Sequence, residues 1–277
     1  MHPHQRVRRR LGLQVLFDSS DIVDAIGFAD RHGFGVLELN LGNILFGGQL
    51  ARKRERRRIR AAARQSGIRL AAHALEGSSF FIPSRPALRA AVTDLKRLAD
   101  QGAEAGIDRV VFHLGFEMYY SVNGRPAFPH EMFPDYFEDA VGGALAELKR
   151  YARGRTRLCI ENVGGFRFAF VHRILDRLLG GSLGLCLDVG HVNTLGHRKR
   201  AELAFFRRHA RHILHSHLHD NHGEHDEHLV LGRGSIDFLP WFRMLARTRA
   251  LISFEVRPKE AALECLDYYR RRIEPRL

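Results

Sequence analysis

Cysteine is scarce in this chain. Its 277 residues include only Cys159, Cys186 and Cys265, and no Cys-x-x-Cys pair occurs. An odd number of widely spaced cysteines argues against a disulfide framework and against a zinc site built from cysteine alone. We therefore expect small, buried thiols in a reducing compartment.

Long apolar runs are missing as well. No stretch approaches the ~20 apolar residues of a membrane helix. The basic start, MHPHQRVRRR, is not followed by a signal-peptide core. There is also no glycine-rich phosphate loop of the kind found in doubly wound nucleotide-binding sheets. The first two absences predict a cytoplasmic protein without membrane attachment, and the third argues against a doubly wound sheet.

Acidic residues are outnumbered by basic ones, which leaves a formal net charge of +13. Such an excess favours polyanionic partners, including nucleic acid and phosphorylated metabolites. Much of it lies in RVRRR, ARKRERRRIRAAAR and YYRRRIEPR, which are equally typical of a tail and of solvated helix faces. We interpret residues 1–10 as a basic N-terminal tail and leave both explanations of the charge open.

The chain is rich in short apolar runs that alternate with amphipathic, helix-like segments about 30 residues apart. There are eight runs: LGLQVLF (11–17), VLELNL (36–41), IRLAAHA (68–74), RVVFHLG (109–115), RLCIENV (157–163), LGLCLDVGH (183–191), ILHSHLH (213–219) and ALISFEV (250–256). No linker or change of composition divides the chain. The pattern predicts an α/β protein, a single (β/α)8 TIM barrel over residues 11–277.

Six consecutive predicted strands end in a histidine or an acid. These residues are His73, His113, Glu161, Asp188, His217 and Glu255. The carboxyl ends of barrel strands converge on one small volume, where uncompensated polar groups are costly to bury. A divalent cation would neutralise the carboxylates, and mixed histidine and carboxylate ligands suit zinc, manganese or iron. The sequence therefore predicts a metal site at this end of the barrel.

Four other residues are candidates for contacts with a substrate. Glu38 and Asn40 share a strand face opposite to the leucines of VLELNL, so they could line the pocket or form structural hydrogen bonds. Arg233 and Arg257 could meet phosphate oxygens, although surface ion pairs would explain them equally well.

Taken together, these motifs resemble the xylose-isomerase-like barrel superfamily, which includes endonuclease IV and many sugar isomerases and epimerases. The resemblance spans residues 11–270 and rests on AAHA, FHLG, IENVGG, LDVGH, HLHDN, DEHLVLGRG and FEV. By analogy with endonuclease IV it implies up to three zinc ions held by His73, His113, Glu161, Asp188, His191, His217, Asp226, His228 and Glu255. The simpler isomerases imply only Glu161, Asp188, His217 and Glu255, usually around manganese, magnesium or cobalt.

Endonuclease IV uses five ligands that the simpler isomerases do not need, and these distinguish two possible functions. The corresponding residues are His73, His113, His191, Asp226 and His228. Their presence favours a metal-dependent phosphodiester hydrolase, acting on abasic DNA or a small nucleotide-type phosphodiester through a metal-bridged hydroxide. The alternative is a mononuclear sugar or cyclitol isomerase or epimerase. In that alternative Glu161 and Glu255 would be the catalytic pair that moves a proton between carbons.

The insert FEMYYSVNGRPAFPHEMFP (116–134) is either a lid over the site or a packed surface loop. In the histidine-rich stretch 215–228 the resemblance makes His217, Asp226 and His228 the ligands. His215 is expected deeper in the core and His219 at the rim of the pocket. Monomer and homodimer are both compatible with the sequence.

Overall fold

A closed ring of eight parallel strands forms the centre of the molecule. The structure is a computed structural model that describes residues 7–277. The barrel strands are β1 (Leu11–Val15), β2 (Val36–Asn40), β3 (Arg69–His73), β4 (Ile107–Phe112), β7 (Arg157–Glu161), β8 (Leu183–Asp188), β9 (Ile213–Leu218) and β10 (Leu251–Phe254). Each pairs with the next along the chain, and β10 pairs with β1. The predicted (β/α)8 TIM barrel is confirmed.

Helices surround the barrel because the outward face of the strands is apolar and must be covered. They are α1 (Ile22–Arg31), α2 (Ile44–Ala51), α3 (Lys53–Ser66), α4 (Arg85–Ala105), α5 (Pro129–Met132), α6 (Pro134–Ala152), α7 (Ala169–Leu178), α8 (Val189–Asn193), α9 (Lys199–Arg208), α10 (Leu239–Ala246) and α11 (Ala261–Tyr268). Asp21 caps α1 by accepting bonds from the N–H groups of Val23 and Asp24. Gly67 and Gly106 end α3 and α4 in the left-handed conformation.

The segment after β2 forms two helices where the sequence predicted one. Asn43 caps α2 by accepting a bond from the Leu45 N–H, and its amide donates to the Leu16 and Ser19 carbonyls. Arg52 then takes an extended conformation, which separates α2 from α3. The apolar, glycine-containing run ILFGGQLA has little helical periodicity of its own, so tertiary contacts decide its structure.

Residues 7–10 pack against the barrel and do not form part of a tail. Val7 is fully buried in the core. The Arg10 guanidinium donates to the Ala250 carbonyl at 2.8 Å and to the Leu245 carbonyl at 3.2 Å. The rest of the predicted tail, residues 1–6, lies outside the described residues. Among the helices of residues 7–277, none is long and apolar enough to cross a membrane.

The barrel interior below the predicted metal site contains a cluster of small and aliphatic side chains beside buried polar ones. Val111, Cys159 and Cys186 form one buried cluster, with Leu214 packed against it. All three cysteines are buried and free, as predicted. Part of the positive charge lies on solvated helix faces, where Arg58 pairs with Asp21 at 3.0 Å.

The insert after β4 is an anchored hairpin. Strands β5 (Tyr120–Val122) and β6 (Arg125–Ala127) pair antiparallel and are largely exposed. Behind them, the His130 ring stacks on Phe168 with ring centroids 4.2 Å apart, and His130 also pairs with the buried carboxylate of Glu117. The base of the insert is therefore fixed to the barrel while the hairpin projects from it.

Candidate metal site at the carboxyl end of the barrel

Glu161, the last residue of β7, lies at the centre of a cluster of imidazoles. Its Oε2 atom is 3.1 Å from His73 Nε2 and 3.2 Å from His113 Nε2. Its Oε1 atom is 3.3 Å from His191 Nδ1. Three residues that are remote in sequence are thus brought around one buried carboxylate, as the convergence of strand ends predicts.

His217, on β9, completes a second group with three carboxylates. Its Nδ1 atom is 3.1 Å from Glu255 Oε2, 3.4 Å from Glu161 Oε2 and 3.8 Å from Asp188 Oδ2. One ligand atom from each of these four residues lies within 4.8 Å of the others, and all four residues are buried. We call this group the central cluster: Glu161, Asp188, His217 and Glu255.

Asp226 gathers three imidazoles nearer to solvent. Its Oδ2 atom is 3.1 Å from His191 Nε2 and 3.0 Å from His228 Nε2, and its Oδ1 atom is 3.4 Å from His219 Nε2. We call this group the outer cluster: His191, His219, Asp226 and His228. The structure thus brings together all nine residues that the sequence predicted as metal ligands, and it adds His219.

The hydrogen bonds of three histidines fit a metal site. His73 Nδ1 donates to the Ala74 carbonyl and His228 Nδ1 donates to the Glu255 carbonyl, both at 2.9 Å. A carbonyl can only accept, so the proton is on Nδ1 and Nε2 is free to bind a cation. His217 is held the other way round, with Nε2 directed to a carboxylate and Nδ1 to the central cluster. This arrangement of ligand and orienting partner is typical of metal-binding histidines.

Glu38 lies beneath the cluster rather than in a substrate pocket. Its side chain is fully buried and accepts from His217 Nε2 at 3.0 Å and from His215 Nε2 at 2.9 Å. The predicted substrate contact is therefore corrected to a structural one. His215 also lies 3.2 Å from Ser253 Oγ, deep in the barrel as expected.

Asn40 and Arg257 lie together beside the central cluster. Asn40 Nδ2 donates to Gln14 Oε1 at 3.1 Å, and Arg257 donates to the same oxygen. Arg257 Nη2 is 4.0 Å from Glu255 Oε1. Contact of Asn40 and Arg257 with a substrate stays a prediction.

Arg233 does not reach the site. Its guanidinium pairs with Glu264 on α11, and 62% of its side chain is exposed. The loop before it is held by Asp220, which accepts from the Gly232 N–H at 2.8 Å and from the Ile236 N–H at 3.1 Å. The predicted substrate contact is corrected here too, because the loop turns Arg233 toward the outer helix.

His219 is a site residue that the sequence reasoning assigned to the rim of the pocket and left out of the ligand set. It is fully buried, 3.2 Å from Asp188 Oδ2, and its ring stacks on His228 at 4.0 Å between centroids. A Cβ atom at Gly190 would lie 1.9 Å from the His219 ring, so only glycine leaves room for it. Strand parity could have indicated this position, because every second residue of a strand faces the same side and His219 follows His215 and His217 at that spacing.

The carboxylates favour the protonated form of His73, His191 and His228 when no metal is bound. Burial by itself would lower the pKa of His73, but the hydrogen bond and charge of Glu161 outweigh it and raise that pKa to about 9. Burial also works against a charged His191, yet the charge of Asp188 contributes most to raising its pKa to about 10. In return, although burial would raise the pKa of Asp188, the charge of His191 helps to lower it to about 2.

Metal uptake by the metal-free protein at about pH 7.5 is expected to release protons. The pKa of His73 is about 9, that of His191 about 10 and that of His228 about 9, so all three are protonated at that pH. An imidazole must be neutral to bind a cation, so affinity should rise as the pH rises toward these values. Calorimetric titration in buffers of different ionisation enthalpy counts the protons. A binding enthalpy that is the same in every buffer would contradict this.

The eight parallel strands and the cluster of histidines and carboxylates at their carboxyl ends define the class of this protein. It is an α/β barrel with a candidate metal site. The chain belongs to the xylose isomerase-like TIM barrel family, which matches residues 26–272. The superfamily resemblance found in the sequence is thereby confirmed.

Similar solved structures cover nearly the whole chain. A D-tagatose 3-epimerase-like protein has a TM-score of 0.72 at 18% identity, covering 96% of this chain and 98% of its own. The apo form of 3-keto-D-glucoside 4-epimerase from E. coli has a TM-score of 0.72 at 17% identity, covering 94% and 98%. The IOLI protein with a binding zinc atom has a TM-score of 0.71 at 15% identity, covering 93% and 95%. At these identities the likeness concerns the fold.

Sequence similarity to curated proteins is partial. An uncharacterised protein of Methanocaldococcus jannaschii is 27% identical over 130 residues, which is 42% of this chain and 42% of that protein. An uncharacterised protein of Sinorhizobium fredii is 29% identical over 181 residues, which is 64% of this chain and 56% of that protein. The chain thus matches only about half the length of these relatives.

Proposed function

We propose that this protein is a divalent-metal-dependent isomerase or epimerase acting on a sugar or cyclitol that carries a carbonyl group. The observation that carries the proposal is the central cluster, in which Glu161, Asp188, His217 and Glu255 direct ligand atoms to one buried volume. A mixed histidine and carboxylate set suits manganese, cobalt, zinc or iron.

A cation bound in the central cluster would polarise the carbonyl and the neighbouring hydroxyl of a substrate, which acidifies the carbon between them. The chain itself must take up and return the proton. Glu255 directs Oε2 to His217 Nδ1 at 3.1 Å, while Oε1 has Arg257 Nη2 as its ion-pair partner at 4.0 Å. Oε1 of Glu255 is therefore available to accept a proton from a substrate carbon.

Glu161 is the second carboxylate of the proposed pair. Burial would raise its pKa, but the charges and hydrogen bonds of His217 and His113 hold that pKa well below its ordinary value. It is thus ionised and able to act as a base. Two carboxylates from strands on different sides of the barrel can serve opposite faces of a substrate carbon, which epimerisation requires.

The comparisons support this assignment more than the hydrolytic one. Two of the similar structures are named for epimerisation of sugars or glycosides, and a third is described with a binding zinc atom. The resemblance to the simpler isomerases implies four metal ligands, and these are the four residues of the central cluster.

Solvent proton exchange tests the proposal directly. We expect protein loaded with manganese or cobalt to incorporate deuterium from D2O into a ketose such as D-fructose or D-tagatose, at a carbon next to the carbonyl. Proton NMR measures the incorporation. Absence of exchange with every ketose and keto-cyclitol tried, under each metal, would contradict the proposal.

A phosphodiester hydrolase is the second candidate, and the outer cluster favours it. His191, His219, Asp226 and His228 offer ligands beyond those an isomerase needs. Several cations around one pocket can activate water and stabilise the leaving oxygen of a phosphodiester. Zinc would then be the favoured metal, and a basic protein would suit an anionic substrate.

The metal content of the purified protein should distinguish the two candidates. Under the proposed function we expect one tightly bound ion per chain, and Asp226→Asn should keep that ion and the exchange activity. Elemental analysis of protein purified without chelator measures the count, with His222→Ala as a control in the same exposed loop. Two or three zinc ions, with cleavage of bis-p-nitrophenyl phosphate that Asp226→Asn abolishes, would favour the hydrolase.

A further inference from the structure

The exposed large hydrophobic side chains of residues 7–277 lie in four segments of the chain. Within residues 7–277, every large hydrophobic residue classed as exposed comes from a segment that follows β1, β2, β3 or β4. We call six of them the apolar rim: Phe17, Ile44, Leu45, Leu75, Phe116 and Tyr119. Their exposed fractions range from 51% to 84%.

The four segments are neighbours around the mouth of the barrel. β1, β2, β3 and β4 are adjacent in the sheet, and the chain that follows each of them begins at the carboxyl end. The other half of the mouth, after β7 to β10, carries the outer cluster and exposed polar side chains such as His222 and Glu260. The exposed large hydrophobic side chains are thus confined, within residues 7–277, to one half of the mouth.

Two residues of the apolar rim follow strands that supply residues to the metal site. Leu75 follows the β3 residue His73 by two positions, and Phe116 follows His113 by three. Both histidines contact Glu161 inside the barrel. The segments that carry Leu75 and Phe116 therefore leave the barrel directly from strands that supply histidines to the site.

The backbone beneath the rim is held in place. The Phe116 carbonyl accepts from Ser79 Oγ at 2.8 Å, and the neighbouring Gly115 carbonyl accepts from the Gly165 N–H at 3.0 Å. Gly115 has φ +86°, and a Cβ atom there would lie 2.6 Å from the Ser78 carbonyl oxygen. The backbone position of Phe116 is therefore restrained by the neighbouring loops.

Exposed apolar area of this kind is unfavourable in water and marks a binding surface. We propose that the substrate is amphipathic: a polar, oxygen-rich part binds at the central cluster and an attached alkyl or aryl group packs on the apolar rim. This rests on the proposed function for metal binding at the central cluster, but not on any reaction taking place there.

A matched pair of chelators tests the proposal without turnover. Acetohydroxamate and octanohydroxamate bind a metal through the same group and differ only in the length of the alkyl chain. Calorimetry on the zinc-loaded protein should show octanohydroxamate binding about tenfold more tightly or better, because its chain buries apolar surface on the rim.

Substitutions locate the effect. Leu75→Ser combined with Phe116→Ser should reduce the advantage of octanohydroxamate to threefold or less and leave acetohydroxamate unchanged. His222→Ala, on the polar half of the mouth, should alter neither affinity. Equal affinities in the parent protein, or an advantage that survives the double substitution, would overturn the proposal.

Two other results would also overturn it. If neither hydroxamate binds, the central cluster holds no accessible metal. If sedimentation shows a dimer that the double substitution dissociates, the rim is a contact between two copies of the chain. By contrast, an alkyl-chain advantage without any deuterium exchange, into either plain or alkyl-bearing ketoses, would reject the isomerase and leave the amphipathic ligand standing.

Discussion

Replacing Glu161 with glutamine is expected to reduce deuterium exchange or epimerisation by about 10²- to 10⁴-fold, the range usual for loss of an acid–base group. Glutamine preserves the shape of the side chain but cannot accept the substrate proton. It also removes the charge that raises the pKa of His73, so fewer imidazoles would carry protons in the metal-free protein. Initial rates at saturating metal measure the effect.

Glu227→Gln is the matched control for this substitution. Glu227 lies on the same side of the barrel but pairs with His222, outside both clusters. The Glu227→Gln protein should keep the exchange rate of the parent protein. Glu255→Gln should lose activity to a similar extent as Glu161→Gln, because both carboxylates are needed for transfer between two faces. If the Glu161→Gln protein stayed active with its metal bound, Glu161 would have no part in the proton transfer.

Replacing Glu38 with glutamine is expected to weaken metal binding by about 10- to 100-fold, as is usual when the partner of a ligating histidine is lost. Burial would raise the pKa of Glu38, but the charges and hydrogen bonds of His217 and His215 hold it well below the ordinary value, so the group is ionised. The negative charge fixes the His217 proton on Nε2 and leaves Nδ1 for the cation.

Competition with a chelator measures the dissociation constant of the metal. Glu202→Gln makes the same change at another buried glutamate, which pairs with Arg167 and Asn162. It is expected to lower the free energy of unfolding without weakening metal binding. If Glu38→Gln bound metal as tightly as the parent protein, Glu38 would be a packing residue only.

The residue types at the strand ends could be predicted because two regularities in the sequence are strong. A repeat of strand and helix predicts a barrel, and the carboxyl ends of barrel strands meet. His73, His113, Glu161, Asp188, His217 and Glu255 follow from those two rules and are brought together as expected. The metal-ligand interpretation of these residues stays a prediction until metal is measured.

Depth within the barrel could not be predicted in the same way. Parity shows which face of a strand a residue occupies, but the stagger between strands sets its level. Glu38 pairs with Ala71 and Asn40 with His73, so Glu38 lies one inward position below the site. Likewise Glu161 pairs with Cys186, whereas Asp188 pairs with His217.

By itself the sequence determined the class of fold, the chemical character of the site and the strands that supply it, because these depend on local periodicity and residue type. Tertiary structure alone decided that Glu38 supports His217, that His219 joins Asp226, and that Arg233 faces Glu264. Those outcomes depend on strand stagger and on loop contacts between residues far apart in the chain. No pattern within a single segment encodes such contacts.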